Sequence, residues 1–210
     1  MNTCKVLILL GLVWHATGAY AQNTGTQDAS PSRKYAVSTS YLSLTNQLGV
    51  ENIAMYELFV SYRITPKDVL GIKAVTWRLY QPLGIPLWDP ALLSDTQDEW
   101  YPGRLREYGI GVRYQRFLWK GLFASVEAVP MRKVFLDENR KKMGTGFRLY
   151  TSLHAGYHVS FLKNRIFIEP QVHCNYWPID TRGPQGFAEK ENKWNNYFLF
   201  EPNLYIGVKF

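Results

Sequence analysis

Hydrophobic and polar positions alternate with period two along most of the chain, and helical spacing is nowhere sustained. From Phe147 to Leu162 one face carries Phe147, Leu149, Thr151, Leu153, Ala155, Tyr157, Val159 and Phe161. The other carries Arg148, Tyr150, Ser152, His154, Gly156, His158 and Ser160. A helix would scatter both sets around its circumference, whereas a strand sorts them onto two faces. The same alternation runs through Ile53 to Ile64, Arg106 to Leu118 and Arg165 to Asp180. In the last segment Phe198, Phe200, Pro202, Leu204, Ile206, Val208 and Phe210 share a face. Three stretches are weaker: Tyr35 to Leu44, Val69 to Tyr80 and Leu122 to Leu136, where Pro130 is expected to mark a bulge or kink. The pattern predicts about eight strands of roughly 10 to 16 residues, near or above what a tilted strand needs to cross a bilayer.

The connections alternate in length. Thr65 to Asp68, Trp119-Lys120 and Lys163-Asn164 read as tight turns. Thr45 to Asn52, Gln81 to Arg104, Asp137 to Thr145 and Thr181 to Asn196 read as longer loops. Short turns at one end and long loops at the other are the asymmetry of an outer-membrane barrel. The facing is also inverted relative to a soluble barrel, whose interior would hold Val, Ile and Leu. Here the uncharged face is the apolar one, and the opposite face alternates in Glu, Arg, Lys and His. Tyr62, Tyr114, Tyr157, Phe161 and Phe210 fall near the short-turn ends, as an interfacial girdle would. The expected fold is an all-β, eight-stranded, antiparallel up-and-down transmembrane barrel over residues 35–210.

Composition narrows the class further. Of 210 residues, 46% are hydrophobic and 15% aromatic, which excludes disorder along the whole chain. The only long apolar run, Val6 to Trp14, is too short for a spanning helix. It follows Lys5 and precedes Ala19-Tyr20-Ala21, so residues 1–21 read as a signal peptide cleaved before Gln22. Gln22 to Lys34 reads as a polar lead-in. The net charge of +7 is scattered, so no nucleic-acid site is expected. Cys4 and Cys174 form neither a disulfide framework nor a zinc pattern, and no cofactor motif is present.

The segment Leu204-x-Ile206-x-Val208-x-Phe210 is similar to the C-terminal signal of small eight-stranded bacterial outer-membrane barrels. The chain resembles the class that contains the OmpA membrane domain and OmpX. That resemblance implies outer-membrane lipids and the barrel-assembly machinery as partners, with Leu204, Ile206, Val208 and Phe210 as the assembly signal. Glu169-Pro170, Glu201-Pro202 and Asn175-Tyr176-Trp177-Pro178 are also similar to segments of uncharacterised barrels from Bacteroidetes-type bacteria.

Candidate chemistry falls in three places. The inward charges Glu57, Lys73, Arg113, Glu127, Arg148, Glu169 and Glu201 are expected to pair into a plug, since an eight-stranded barrel is just wide enough for its side chains. A small gated channel is the competing expectation for the same residues. Among the inward histidines, His154 and His173 can meet across strands, but two ligands do not make a metal site. His158-x-Ser160 with Glu169 echoes the nucleophile, base and acid of hydrolases. Outer-membrane lipid A deacylases carry such a set, so the resemblance implies a lipid hydrolase as an alternative. The departure is one of place: His158 and Ser160 lie at the short-turn end and face inward. Those deacylases work at the outer leaflet, from outside the barrel. Cys174 is expected to face lipid. The loops 81–104 and 181–196, rich in aromatics and acids, are candidates for an extracellular ligand. The leading expectation is a non-enzymatic surface barrel that binds a partner through these loops or supports the envelope.

Overall fold

Nine strand segments make eight staves. The computed structural model describes residues 33–45, 54–86, 88–93 and 97–210. The expected signal peptide, and the lead-in up to residue 32, lie outside the described residues. The strands are β1 Tyr35–Ser40, β2 Ala54–Arg63, β3 Asp68–Leu79, β4 Arg104–Trp119, β5 Leu122–Leu136, β6 Lys142–Tyr157, β7 Val159–Phe161, β8 Ile166–Asp180 and β9 Tyr197–Lys209. β6 and β7 are one stave: Gly156 stands opposite Gln171 and Val159 opposite Ile168, in the same register on β8. All neighbours are antiparallel and sequential, and β1 pairs with β9 to close the sheet. The chain is therefore an eight-stranded antiparallel closed barrel in up-and-down order.

Alternation places the side chains as the sequence pattern implies. Ile72, Ile110, Val112 and Leu153 point outward and are each more than half exposed. Glu57, Lys73, Arg113, Glu127, Arg148, Glu169, His154 and His173 point inward and are buried. Cys174 faces outward as a free thiol.

Four local readings need correction. β1 stops at Ser40, and Tyr41–Thr45 forms a helical turn, α1. There the Ser43 hydroxyl accepts the backbone N–H of Glu57 at 2.9 Å, satisfying a donor beyond the last β1–β2 pair, Ser38 with Phe59. Pro130 shifts no register: it faces Leu149 within the continuous register that runs from Leu122 to Phe135 against β6, and it points outward. The expected loop Asp137 to Thr145 is only residues 137–141, because Gly144 and Gly146 continue the ladder opposite Phe135 and Lys133. Finally, Phe200 takes a left-handed φ of 58° beside a register shift in β8–β9. That bulge reverses the facing above it, so Phe198 packs on the core while Tyr197 and Leu199 turn outward.

The short-turn end, where β1 begins and β9 ends, is built from compact turns. Lys120 and Gly121 both have positive φ, 41° and 95°, the backbone a two-residue hairpin loop needs. Thr65 accepts the N–H groups of Lys67 and Asp68 on its hydroxyl. At the other end, a second helical turn, α2 Pro90–Leu93, lies in the β3–β4 loop, and the helix α3 Gln185–Glu191 lies over the mouth. Its Phe187, fully buried, meets Tyr101 and Phe135 with ring centroids 4.9 and 5.1 Å away. Below them Trp77 meets Tyr150 edge to face and Tyr150 stacks on Trp177.

Inward aromatics lie over inward glycines on the next stave. Phe123 stands opposite Gly156, and Phe167 opposite Gly207. A Cβ at Gly207 would sit 2.4 Å from the Phe167 ring. Gly207→Val must therefore displace that ring. It is expected to lower stability by about 1–3 kcal/mol, seen as a lower urea midpoint for the folded protein; an unchanged midpoint would show that the ring has room to move.

Candidate functional site

Inward charges on a closed lumen are far from bulk water, and a buried charge is tolerated only when paired and hydrogen-bonded. The chain meets this with two ionic clusters. In the first, the Lys73 ammonium lies 3.1 Å from Glu57 and 2.9 Å from Glu127. The Tyr205 hydroxyl donates to the other Glu57 oxygen at 2.6 Å. Arg113, 1% exposed, pairs with no carboxylate among the described residues. It donates to Ser125, Gln115 and Gln171 and lies over the rings of Phe59, Phe123 and Tyr205.

The second cluster lies nearer the long loops. Arg148 pairs with Glu107, Asp180 and Glu191 at 2.9, 2.7 and 3.2 Å. Lys133 pairs with Asp180 and Glu191 at 2.7 and 2.9 Å. Of this group only Arg148 was singled out for the plug in the sequence reading. Glu107 and Lys133 were legible by parity, because each is an even number of residues from an inward neighbour on its strand. Glu191 was not legible, since it reaches the lumen from α3. Glu201 is mostly buried and accepts from Asn175 at 2.7 Å, outside both clusters. His154 and His173 do face each other, with ring centroids 4.1 Å apart.

The described residues of loops 81–104 and 181–196 pack against each other as a lid. Glu99 accepts from Lys193 at 2.9 Å and from the Trp194 indole at 3.1 Å, and Lys190 bonds the Asp98 carbonyl. Burial works against the Glu99 carboxylate, but the hydrogen bonds from Lys193 and Trp194 outweigh it and hold its pKa below the ordinary range. Burial, reinforced by the neighbouring Glu191 carboxylate, pushes the Tyr101 phenol well above its usual value. Aromatics of the two loops are spent on this packing: Phe187 and Tyr101 are buried, while Trp88 remains exposed.

The opposite mouth is different. A shallow cleft there is lined by Arg33, Lys34, Arg63, Phe117, His158, Phe167, Glu169 and Lys209, among others. It contains about 30 Å³ open to water, room for a molecule or two. The structure brings together the three residues of the hydrolase reading. His158 Nδ1 is 2.8 Å from Glu169 Oε1, and His158 Nε2 is 3.0 Å from Ser160 Oγ. A carboxylate only accepts, so Nδ1 carries the proton, Nε2 presents its lone pair and the Ser160 hydroxyl donates to it. Lys209 Nζ donates to the same Ser160 oxygen at 2.9 Å. Gln115 donates to Glu169 at 3.0 Å, which links the set to Arg113 in the lumen. The His158 ring stacks on Phe167 at 4.9 Å and meets the edge of Phe117 at 5.4 Å. Lys209 was absent from the sequence reading; its inward parity on β9 was the available signal.

No protein-family model, curated protein or solved structure matches the chain.

Removing Lys73 would leave Glu57 and Glu127 buried and facing each other's charge. Lys73→Met is therefore expected to destabilise the barrel by about 3–5 kcal/mol, measured by urea unfolding in detergent. A loss within 0.5 kcal/mol, the usual range of a surface change (~0.5), would mean that the cluster is not the closed ion pair described.

Proposed function

We propose that this chain is a transmembrane barrel of the bacterial outer membrane, of the small eight-stranded kind represented by the OmpA membrane domain and OmpX. In this reading it is closed to ion flow, with its lid outside and both strand termini toward the periplasm. The observation that carries the reading is the height of the outward apolar band. On β4 the outward residues from Tyr108 to Tyr114 are Tyr108, Ile110, Val112 and Tyr114, bounded by Arg106 above and Arg116 below. Ten residues separate the two arginines, about 33 Å along a strand and roughly 25 Å once tilted by about 40°, which is the height of an outer-membrane apolar band. Arg78 and Arg132, on the flanking strands, stand outward close to Arg106 along the same upper edge. Like charges facing across strands repel. Anionic lipid headgroups along that edge would relieve them.

Closure to ions follows from the two lumen clusters and the aromatic layer between them. The lid, packed on itself and anchored to the lumen through Glu191, supports the use of this end as a rigid exterior surface. Envelope support, or recognition of an extracellular partner by exposed lid residues such as Trp88, is the function this end is suited to.

The protein is expected in the membrane fraction, with gel mobility that changes on heating, and planar-bilayer recordings are expected to show no steady conductance. Recovery as a soluble periplasmic protein would overturn the membrane reading; a large, steady, ion-selective current would overturn closure.

A further inference from the structure

The lid end and the two ionic clusters account for many buried polar groups, but the hydrogen-bonded set at the terminus-side mouth belongs to neither cluster. Ser160 is not needed to neutralise a buried charge, since it is neutral and exposed at the lip. Glu169 accepts from both His158 Nδ1 and Gln115, so its charge is held by two hydrogen bonds and His158 keeps Nε2 for Ser160. Both links of His158 have the separation that nucleophile–base–acid sets require, about 2.6–3.2 Å, at 3.0 and 2.8 Å. The support is fixed as well. Phe167 holds one face of the imidazole, and Gly207 leaves that ring its place. Glu169 is buried and held by Gln115, so it sets the tautomer that turns a lone pair toward Ser160.

We propose that Ser160, His158 and Glu169 form a hydrolytic site that cleaves carboxylic esters of anionic molecules presented at the terminus-side mouth. The Ser160 oxygen attacks the ester carbonyl carbon as its proton passes to His158 Nε2. The bond from that carbon to the alkoxy oxygen then breaks, and the leaving alcohol takes the proton from His158. Water attacks the resulting acyl-serine and gives a proton to His158. The acyl–Oγ bond breaks, the carboxylic acid departs, and Ser160 regains its proton. Glu169 stays ionised throughout and steadies the imidazolium. Lys209 Nζ, donating to the Ser160 oxygen at 2.9 Å, sets a positive charge beside the atom that bonds the carbonyl carbon, where it favours the negative charge of the tetrahedral intermediate.

The charge of the cleft selects the substrate class. Among the described residues that line it, Arg33, Lys34, Arg63 and Lys209 stand against the carboxylate of Glu169. Such a mouth concentrates anions and raises their encounter rate. The small water-accessible volume holds the hydrolytic water, while the body of the ester lies across the exposed lip at Ser160. The site is at the short-turn end, so it serves molecules on the terminus side of the barrel and not those on the lid side.

The test uses the full chain, folded in detergent and checked by heat-dependent gel mobility. It is exposed to a fluorophosphonate, which loses fluoride as its phosphorus bonds a nucleophilic serine oxygen. The expected result is a mass adduct on the peptide containing Ser160, absent from Ser160→Ala and strongly reduced in His158→Asn. In parallel, a p-nitrophenyl ester bearing a carboxylate is expected to be cleaved faster than its neutral counterpart, and Ser160→Ala to slow it at least about a hundred-fold. Both variants alter residues at the rim, so mobility should report them as folded. A folded wild type that takes no adduct, or a Ser160→Ala variant that cleaves the ester at the wild-type rate, would overturn the assignment. Equal rates on charged and neutral esters would overturn the anionic substrate class.

Discussion

Every backbone donor and acceptor in a closed sheet has a partner, and the pairing of β1 with β9 is what turns eight staves into that closed object. Ala36 to Ser40 face Lys209 to Tyr205 in one unbroken register across the seam. Once closed, the sheet has an inside with a fixed diameter, and that diameter dictates the rest. Side chains must fill it, and any charge they bring must find its opposite there. The two ionic clusters, the layer of Trp77, Tyr150 and Trp177, and the rings laid over glycines are successive answers to that one demand. The β8–β9 pairing, with Val208 opposite Ile166, brings Lys209 to the rim beside Ser160. The candidate active site is thus a consequence of strand register as much as of local sequence.

The two ends of the barrel have been put to different uses. At the lid end, aromatics and acids that looked available for a ligand are largely consumed in covering the lumen. Glu191 is the clearest case, accepting from Lys133, Arg148 and Tyr101 at once. At the terminus end the turns are too short to cover anything, and the lumen opens onto a basic cleft. A polar relay from Arg113 through Gln115 to Glu169 and His158 joins the buried interior to that opening.

Period-two alternation made the strands legible because the two environments of a closed sheet differ so sharply. The assignments of Glu57, Lys73, Glu127 and Arg148 to the interior rest on parity alone, and the structure puts each of them there. What failed did so where backbone geometry breaks parity. The left-handed Phe200 reverses Phe198 and Leu199, and no neighbouring residue announces it. Gly144 and Gly146 looked like loop residues because glycine is permissive; here they make room beside Phe135 and Thr181. Partnership is less legible than facing. The spacing of His158 and Ser160 was visible, but the bond to Glu169 depends on the β7–β8 register, and Lys209 arrives through the β8–β9 register.

The central claim is that a lipid-facing exterior surrounds a filled, ion-paired interior. Single nitroxide labels at outward Ile72, Ile110 and Leu153 and at inward Ser125 and Ser152, in the protein reconstituted into lipid vesicles, test it most directly. The outward sites should be relaxed strongly by oxygen, which partitions into the bilayer, and weakly by a water-soluble nickel complex; the inward sites should be shielded from both. Outward labels relaxed chiefly by the nickel complex, or inward labels freely reached by it, would contradict the account.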